Sequence, residues 1–319
     1  MFRPLIIIRR IPNINFMALH KLGFALSLVM TLGSIVLFLV QGLNYGIDFS
    51  GGTIIEARTT GGPADLAAMR AQLDGLGLGD VSLQGFGTPN DVLIRLQRQA
   101  GGDAAQEKAV QLVKQKLGDT VEYRRTEVVG PKVGGELIRA GTIATILALF
   151  AIAVYVWFRF EWQFGVGAML STLHDTITTV GLFSLLQIEF NLTTLAAILT
   201  IAGYSINDTV VIYDRVRETM RKHRTMDFTE LINKSLNETL SRTILTVSTT
   251  ALAVLSLLIF GGEVLRGFSI AMLWGIVVGT YSSLFIAAPL LYYIRPKRGG
   301  ADAGSSKEAA RAPVPAKTS

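Results

Sequence analysis

Six apolar stretches, at about Leu22–Val40, Ala140–Phe158, Phe164–Leu186, Leu192–Tyr213, Ile244–Phe260 and Phe268–Tyr293, approach the roughly 20 residues that a helix needs to cross a bilayer. A backbone crossing lipid must satisfy its own hydrogen bonds, so each stretch is expected to be a helix. Composition agrees: of 319 residues, 50% are hydrophobic and only 17% charged, which is not the balance of a soluble globular chain. The formal charge is +6. Its Lys and Arg cluster beside the apolar runs rather than along one stripe, so nucleic acid is not the expected partner. The chain has no cysteine, which excludes disulfides and Cys-based metal sites. Arg9, Arg10 and Lys21 precede the first apolar run as they would in a signal peptide. That run is long enough to span, and no small-residue cleavage site follows it, so it reads as a retained helix.

The short loops set the expected orientation. Arg3, Arg9, Arg10 and Lys21 precede the first span. Arg215, Arg217, Arg221, Lys222, Arg224, Lys234 and Arg242 fall between the fourth and fifth, and Arg295, Lys297 and Arg298 follow the sixth. The opposite loops, Gln187–Asn191 and Gly261–Gly267, hold only Arg266. By the positive-inside rule both termini are cytoplasmic. The expected organisation is a cytoplasmic N-terminus (1–21), a first span (22–41), an outer domain (42–138), a bundle of the remaining five spans (139–295) with a cytoplasmic loop at 214–243, and a disordered tail (296–319) rich in Ala, Gly, Ser, Lys and Pro. Within the loop, Ile232, Leu236 and Leu240 recur at helical spacing. This suits an amphipathic helix on the membrane surface, or equally a face docked on the bundle.

The outer segment has its own periodicity. Thr53–Arg58, Val81–Phe86, Val92–Leu96 and Val121–Val129 read as strands, and Ala64–Leu76 and Ala104–Leu117 as helices. The order β-α-β-β-α-β is that of a ferredoxin-like split unit. No metal cluster, nucleophile–base pair or phosphate loop stands out in it, so a binding or hinge module is expected rather than an enzyme. Gly51-Gly52 and Gly134-Gly135 bracket this segment, where they suit either flexing or tight turns.

Ionisable groups inside the spans are the candidate functional residues, because each costs roughly 2.5–3.5 kcal/mol at the bilayer centre even on a lenient scale. Asp208 lies six residues before Asp214, about 9 Å in from the cytoplasmic edge. Gly203 and Asn207 share a helix face, with Ser205 and Asp208 beside it. Asp208 can bind and release a proton, or can be a capped structural carboxylate. His174 and Asp175 are sequence neighbours pointing about 100° apart, which argues against a simple pair; either can hydrogen-bond across to the fourth span, as a structural contact or, alternatively, as part of a proton relay. Arg242, at the start of the fifth span, lies at a depth compatible with Asp208, although arginines there often only snorkel. Glu189 is expected in interfacial water, and Asp214 and Glu218 on a solvated face with the neighbouring arginines.

Long strings carry a resemblance. Asn44-Tyr45-Gly46-Ile47-Asp48-Phe49-Ser50-Gly51-Gly52-Thr53, Gly203-Tyr204-Ser205-Ile206-Asn207-Asp208-Thr209-Val210-Val211, His174-Asp175 and Ser241-Arg242-Thr243 resemble the SecD/SecF family of bacterial protein-export membrane proteins, relatives of the RND transporters, over about residues 10–295. The resemblance implies an inner-membrane protein with a six-helix, RND-like half-bundle and an inserted α+β domain in the periplasm. It implies a SecD-type larger partner in a SecDF complex, action with the SecYEG channel, the SecA ATPase and YajC on unfolded preproteins, and the proton gradient as energy source with no other cofactor. It assigns proton transport to Asp208, Arg242 and Asn207. A proton-coupled half-transporter of a small molecule or lipid and a non-catalytic translocon scaffold are the alternatives.

Overall fold

The structure, a computed structural model, describes residues 12–79, 81–129 and 131–296. Arg3, Arg9, Arg10, Lys297, Arg298 and the expected disordered tail lie outside the described residues. After a 3-10 turn at Phe16–Ala18 come helix α1 (His20–Gln41) and the one-turn α2 (Ile47–Ser50). An α+β insert follows: β1 (Gly52–Thr59), α3 (Leu66–Asp74), β2 (Val81–Gly85), β3 (Asp91–Gln97), α4 (Asp103–Leu117) and β4 (Val121–Val129). Five long helices complete the bundle: α5 (Pro131–Arg159), α6 (Trp162–Leu186), α7 (Leu192–Lys222), α8 (Phe228–Phe260) and α9 (Gly262–Ser282), the last extended by a π turn (Ser283–Ala287) and α10 (Ala288–Ile294).

Five stretches are long and apolar enough to cross a membrane: His20–Gln41, Gly134–Arg159, Leu192–Lys222, Phe228–Phe260 and Leu265–Ile294. The expected third span is a continuous helix, α6, of 25 residues. It falls short in apolarity because its buried face carries Ser171, Thr172, His174, Asp175, Thr178 and Thr179. Packed against α1, α5, α7 and α9, α6 can hold so many polar groups because neighbouring helices, rather than lipid, surround them. Elsewhere the outward faces are apolar, as at Leu22, Val29 and Leu39 of α1, Ile146 and Phe150 of α5, and Leu252 and Ile259 of α8.

Two apolar clusters occupy the ends of the bundle. One gathers Phe49, Phe183, Phe190, Ile198, Ile201 and Met272 near the insert. The other gathers Phe16, Phe160, Phe164, Tyr213, Ile232, Leu236 and Leu291 at the far end. The loop at 214–243 departs from one expectation. Ile232, Leu236 and Leu240 are buried in this second cluster, not laid on a membrane surface. The reason is that α7 and α8 run on beyond their apolar stretches as a helical hairpin, and the Ile14–Met17 segment is tied across it by Asn237 and Asn233. Arg215, Glu218, Lys222 and Glu238 form an ion-pair network on its flank.

The π turn precedes Pro289. Proline lacks an amide donor and crowds the preceding turn, so the helix widens there. The Ala287 carbonyl then accepts from the Tyr213 hydroxyl at 3.1 Å, which locks α7 to this segment.

In the insert the sheet order is β2-β3-β1-β4, all antiparallel. Ile55 and Ile94 are register partners and are fully buried with α3 and α4 residues such as Leu73 and Val113. One residue along, Ile54 and Arg95 are partners and therefore share the opposite face. At one end of β1 and β3, the Arg58 guanidinium grips Asp91 through two bonds of 2.6 and 2.8 Å, and the Thr88 hydroxyl adds a third at 2.7 Å. The Arg58 and Thr88 bonds hold the Asp91 carboxyl well below the usual carboxylate range. A depressed value contributes stability above the unfolded pKa of about 3.9 and loses it as pH falls toward the folded one. Asp91→Asn is therefore expected to speed amide exchange in the insert at neutral pH, with the difference from the unaltered protein narrowing below about pH 4; an equal difference across that range would contradict the assignment.

Candidate functional site

A layer of polar side chains lies between the two apolar clusters, and Asp175 is its centre. The Asp175 side chain is fully buried near the middle of α6. Its Oδ2 accepts from the Ser205 hydroxyl of α7 at 2.6 Å and from the Ser282 hydroxyl of α9 at 2.8 Å. Ser171 donates in turn to Ser282 at 2.8 Å. One carboxylate thus ties three helices together.

The other oxygen, Oδ1, lies 3.0 Å from His174 Nδ1. This corrects the expectation that adjacent residues diverging by about 100° would not pair. Divergent Cα–Cβ bonds leave the side-chain torsions free, and close packing turns both groups into the same protein-lined interior. The expected contact from this pair to the fourth span is present, through Ser205.

Asp208 is on the next turn of α7 after Ser205, a rise of about 4.5 Å for three residues. It is also buried, but only half satisfied. Oδ1 accepts from the Thr243 hydroxyl of α8 at 3.0 Å, whereas Oδ2 has no hydrogen-bond partner among the described residues. Arg242, next to Thr243 on α8, is exposed, and no ion pair within 4.0 Å joins it to Asp208 among the described residues. Asn207 and Gly203 are exposed as well. With Thr200, they form an open strip of small and polar residues along α7. Among the described residues no side chain or helix covers this strip.

The glycine pairs occupy specific turns and contacts. Gly51 ends α2 with φ 75°, and Gly52 has φ 149°. A Cβ at Gly52 would run into the Leu96 carbonyl of β3, so this position needs glycine for both conformation and space. Gly134 lies inside α5, where a Cβ would come within 2.5 Å of the Phe49 carbonyl oxygen. Gly135, beside it, is exposed.

Glu189 differs from expectation. It is not free in interfacial water but forms an ion pair with Arg95 of β3. Burial holds its carboxyl above the usual value, with Arg95 pulling it down and Asp48 pushing it up. Sequence reasoning missed this pair because the partners are 94 positions apart. It also missed Thr243 and Ser282, since hydroxyls in apolar runs carry no periodic signal. Among the described residues no group of three or more His, Cys, Asp or Glu side chains could hold a metal ion.

Comparison with known proteins decides the family. Residues 109–297 match the family model described as "Protein export membrane protein SecD/SecF, C-terminal", and residues 36–62 match the "SecD/SecF GG Motif". The chain belongs to the SecD/SecF protein-export family. Its SecF character is specific: it is 47% identical over 294 residues to the "Protein translocase subunit SecF" of Rickettsia felis, covering 89% of this chain and 94% of that one. The SecF of Rickettsia bellii (strain OSU 85-389) is 46% identical over 298 residues, covering 91% and 97%. Among solved structures, SecDF from Thermus thermophilus, described as a translocon-associated membrane protein, superposes with a TM-score of 0.75 at 37% identity over 90% of this chain. A SecDF structure in a "Super-membrane-facing form" gives 0.69 at 35% identity over 94%. The chain spans about two fifths of those SecDF chains, 39% and 40%. With its apolar helices, this SecF relative is a multi-pass membrane protein.

The Asp175 network makes a direct prediction. Asp175→Ala strands the Ser205 hydroxyl and one His174 nitrogen, at about 1–3 kcal/mol for each buried polar group left unpaired, and leaves Ser282 with only Ser171 and the Gly279 carbonyl. Its unfolding temperature in detergent should fall well below that of Asp175→Asn, which keeps an acceptor oxygen. Equal losses would show that the network does not hold α6, α7 and α9 together.

Proposed function

We propose that this chain is the SecF-type half of a proton-driven export motor in the bacterial inner membrane. It pairs with a SecD-type subunit and acts with SecYEG and SecA, and with YajC as an accessory, to draw unfolded preproteins outward. In this reading α6 also spans the membrane, as the third of six spans, both termini are cytoplasmic, and residues 42–138 form a ferredoxin-like periplasmic domain. The basic α7–α8 hairpin supports that orientation, and the strand order and alternating helices of the insert support the fold class. The coupling ion is the proton, and no organic cofactor or metal is called for.

The observation that carries the proposal is Asp208 Oδ2, a buried carboxylate oxygen without a partner. A carboxylate in an apolar bundle is costly when ionised and half-satisfied, and far less so when protonated or when a cation approaches. Asp208 therefore has two states of different local preference. Arg242 stands one residue from Thr243, the only hydroxyl that reaches it among the described residues, and Asn207 leads from it to the open strip on α7. A SecD-type partner seated on that strip would complete the site, in keeping with two similar halves related by an axis along the membrane normal.

The energy scale fits a repeated bias rather than a single irreversible stroke. One charge crossing 100 mV releases about 2.3 kcal/mol, which shifts a two-state equilibrium several-fold to tens-fold. Protonation of Asp208 weakens its attraction to Arg242, α7 and α8 shift at the partner interface, and the periplasmic domain follows. Asp208→Asn is expected to abolish proton-gradient stimulation of export in vesicles containing the whole complex, with complex assembly intact. Normal stimulation in that variant would instead favour a scaffold without proton chemistry.

A further inference from the structure

The insert is joined through the chain to α1 and α5, neither of which carries Asp208. α2 packs on α5, which itself contacts α6 and α7, and β2 touches α9; a further connection joins the insert to the turn before α7. That turn is held from several directions. Phe190 exchanges backbone hydrogen bonds with the entry segment, accepting from the Gly46 amide at 2.9 Å and donating to the Asn44 carbonyl at 2.7 Å. Its ring stacks on Phe49 with centroids 5.7 Å apart. Asp48 Oδ2 accepts from the Leu192 amide at 3.0 Å, a carboxylate at the positive end of a helix already closed by the Asn191–Thr194 capping box. These contacts make α2 and the first turn of α7 one unit.

The remaining link comes from the sheet. Arg95 lies in β3, an inner strand paired on both sides, with Ile54 and Ser82 as its register neighbours. From the face opposite the two helices it reaches Glu189 in the turn, and both side chains are mostly buried. Gly46 makes room: a Cβ there would lie 2.5 Å from Glu189 Oε1 and 3.2 Å from Asn191 Cβ. α7 itself is unbroken from Leu192 to Lys222, so the stretch from Leu192 to Asp208 acts as a rod of about 24 Å.

We propose that the Arg95–Glu189 ion pair, seated on the Asp48-capped start of α7, is the positioning contact that passes movement of α7 to the inserted domain. The inference rests on the reading of Asp208 as the proton site and adds the link that turns its protonation into domain movement. Side-chain packing alone would keep the domain near the bundle. A charged pair from an inner strand fixes its angle, because Arg95 cannot turn without the sheet.

The test uses the complete complex in vesicles, with proton entry and gradient-stimulated export measured separately. Glu189→Gln, Arg95→Gln and Gly46→Ala are expected to leave assembly and proton entry within about twofold of the unaltered complex. Stimulated export should drop about tenfold, the scale of one lost charge-assisted hydrogen bond. The reciprocal exchange, Arg95→Glu with Glu189→Arg, should recover most of that loss. Parallel loss of proton entry and export with no recovery in the exchange would mean that the pair only holds the fold, and would overturn the proposal. So would normal export in the single variants while Asp208→Asn is inactive, an outcome that leaves the proton reading standing. Normal export in Asp208→Asn would remove that reading and this inference with it.

Discussion

A carboxylate surrounded by apolar helices must collect donors from its neighbours or remain uncharged, and the bundle is arranged around two answers to that demand. Asp175 collects hydroxyls from α7 and α9 and the imidazole on its own helix. Few side chains could replace it without stranding several others. Asp208, one turn from Ser205, collects one hydroxyl and leaves an oxygen bare. The first carboxylate ties α6, α7 and α9 together, and the second leaves one oxygen without a donor among the described residues.

The same demand explains α6. It is the one long helix of the bundle that falls short of spanning apolarity, yet it sits at the centre of the packing, in contact with α1, α5, α7 and α9. Polar groups that lipid would reject are tolerated inside a ring of helices, and they specify how those helices align. The apolar clusters at either end seal this layer. Among the described residues this polar layer reaches the surface along α7, where Gly203 and Asn207 are exposed.

Distance along the chain limited what could be read beforehand. The helices, the strands and their order follow from periodicity, because apolar spacing of 3.6 or 2 reflects local geometry. β4, expected at Val121–Val129, occupies that range. Helix ends were harder: α7 and α8 continue well past their apolar stretches, because the basic residues between them belong to a hairpin whose Ile232–Leu236–Leu240 stripe packs inward. The candidate residues His174, Asp175, Asn207, Asp208 and Arg242 stood out in the sequence because charge and amide groups are rare in spanning segments. Their partners did not, since serine and threonine are ordinary in helices that cross lipid.

The sequence alone determined that the chain crosses a membrane several times, that an α+β unit is inserted after the first helix, and which ionisable groups carry an unusual cost, because each of these is a local property of composition and spacing. Tertiary structure decided which carboxylate is satisfied and which is not. It also brought Arg95 to Glu189 and turned the Asn44–Gly52 signature into a joint with the start of α7. Those outcomes depend on groups from separate elements meeting at hydrogen-bond distance, and no local pattern records where a distant helix or strand will bring its donors.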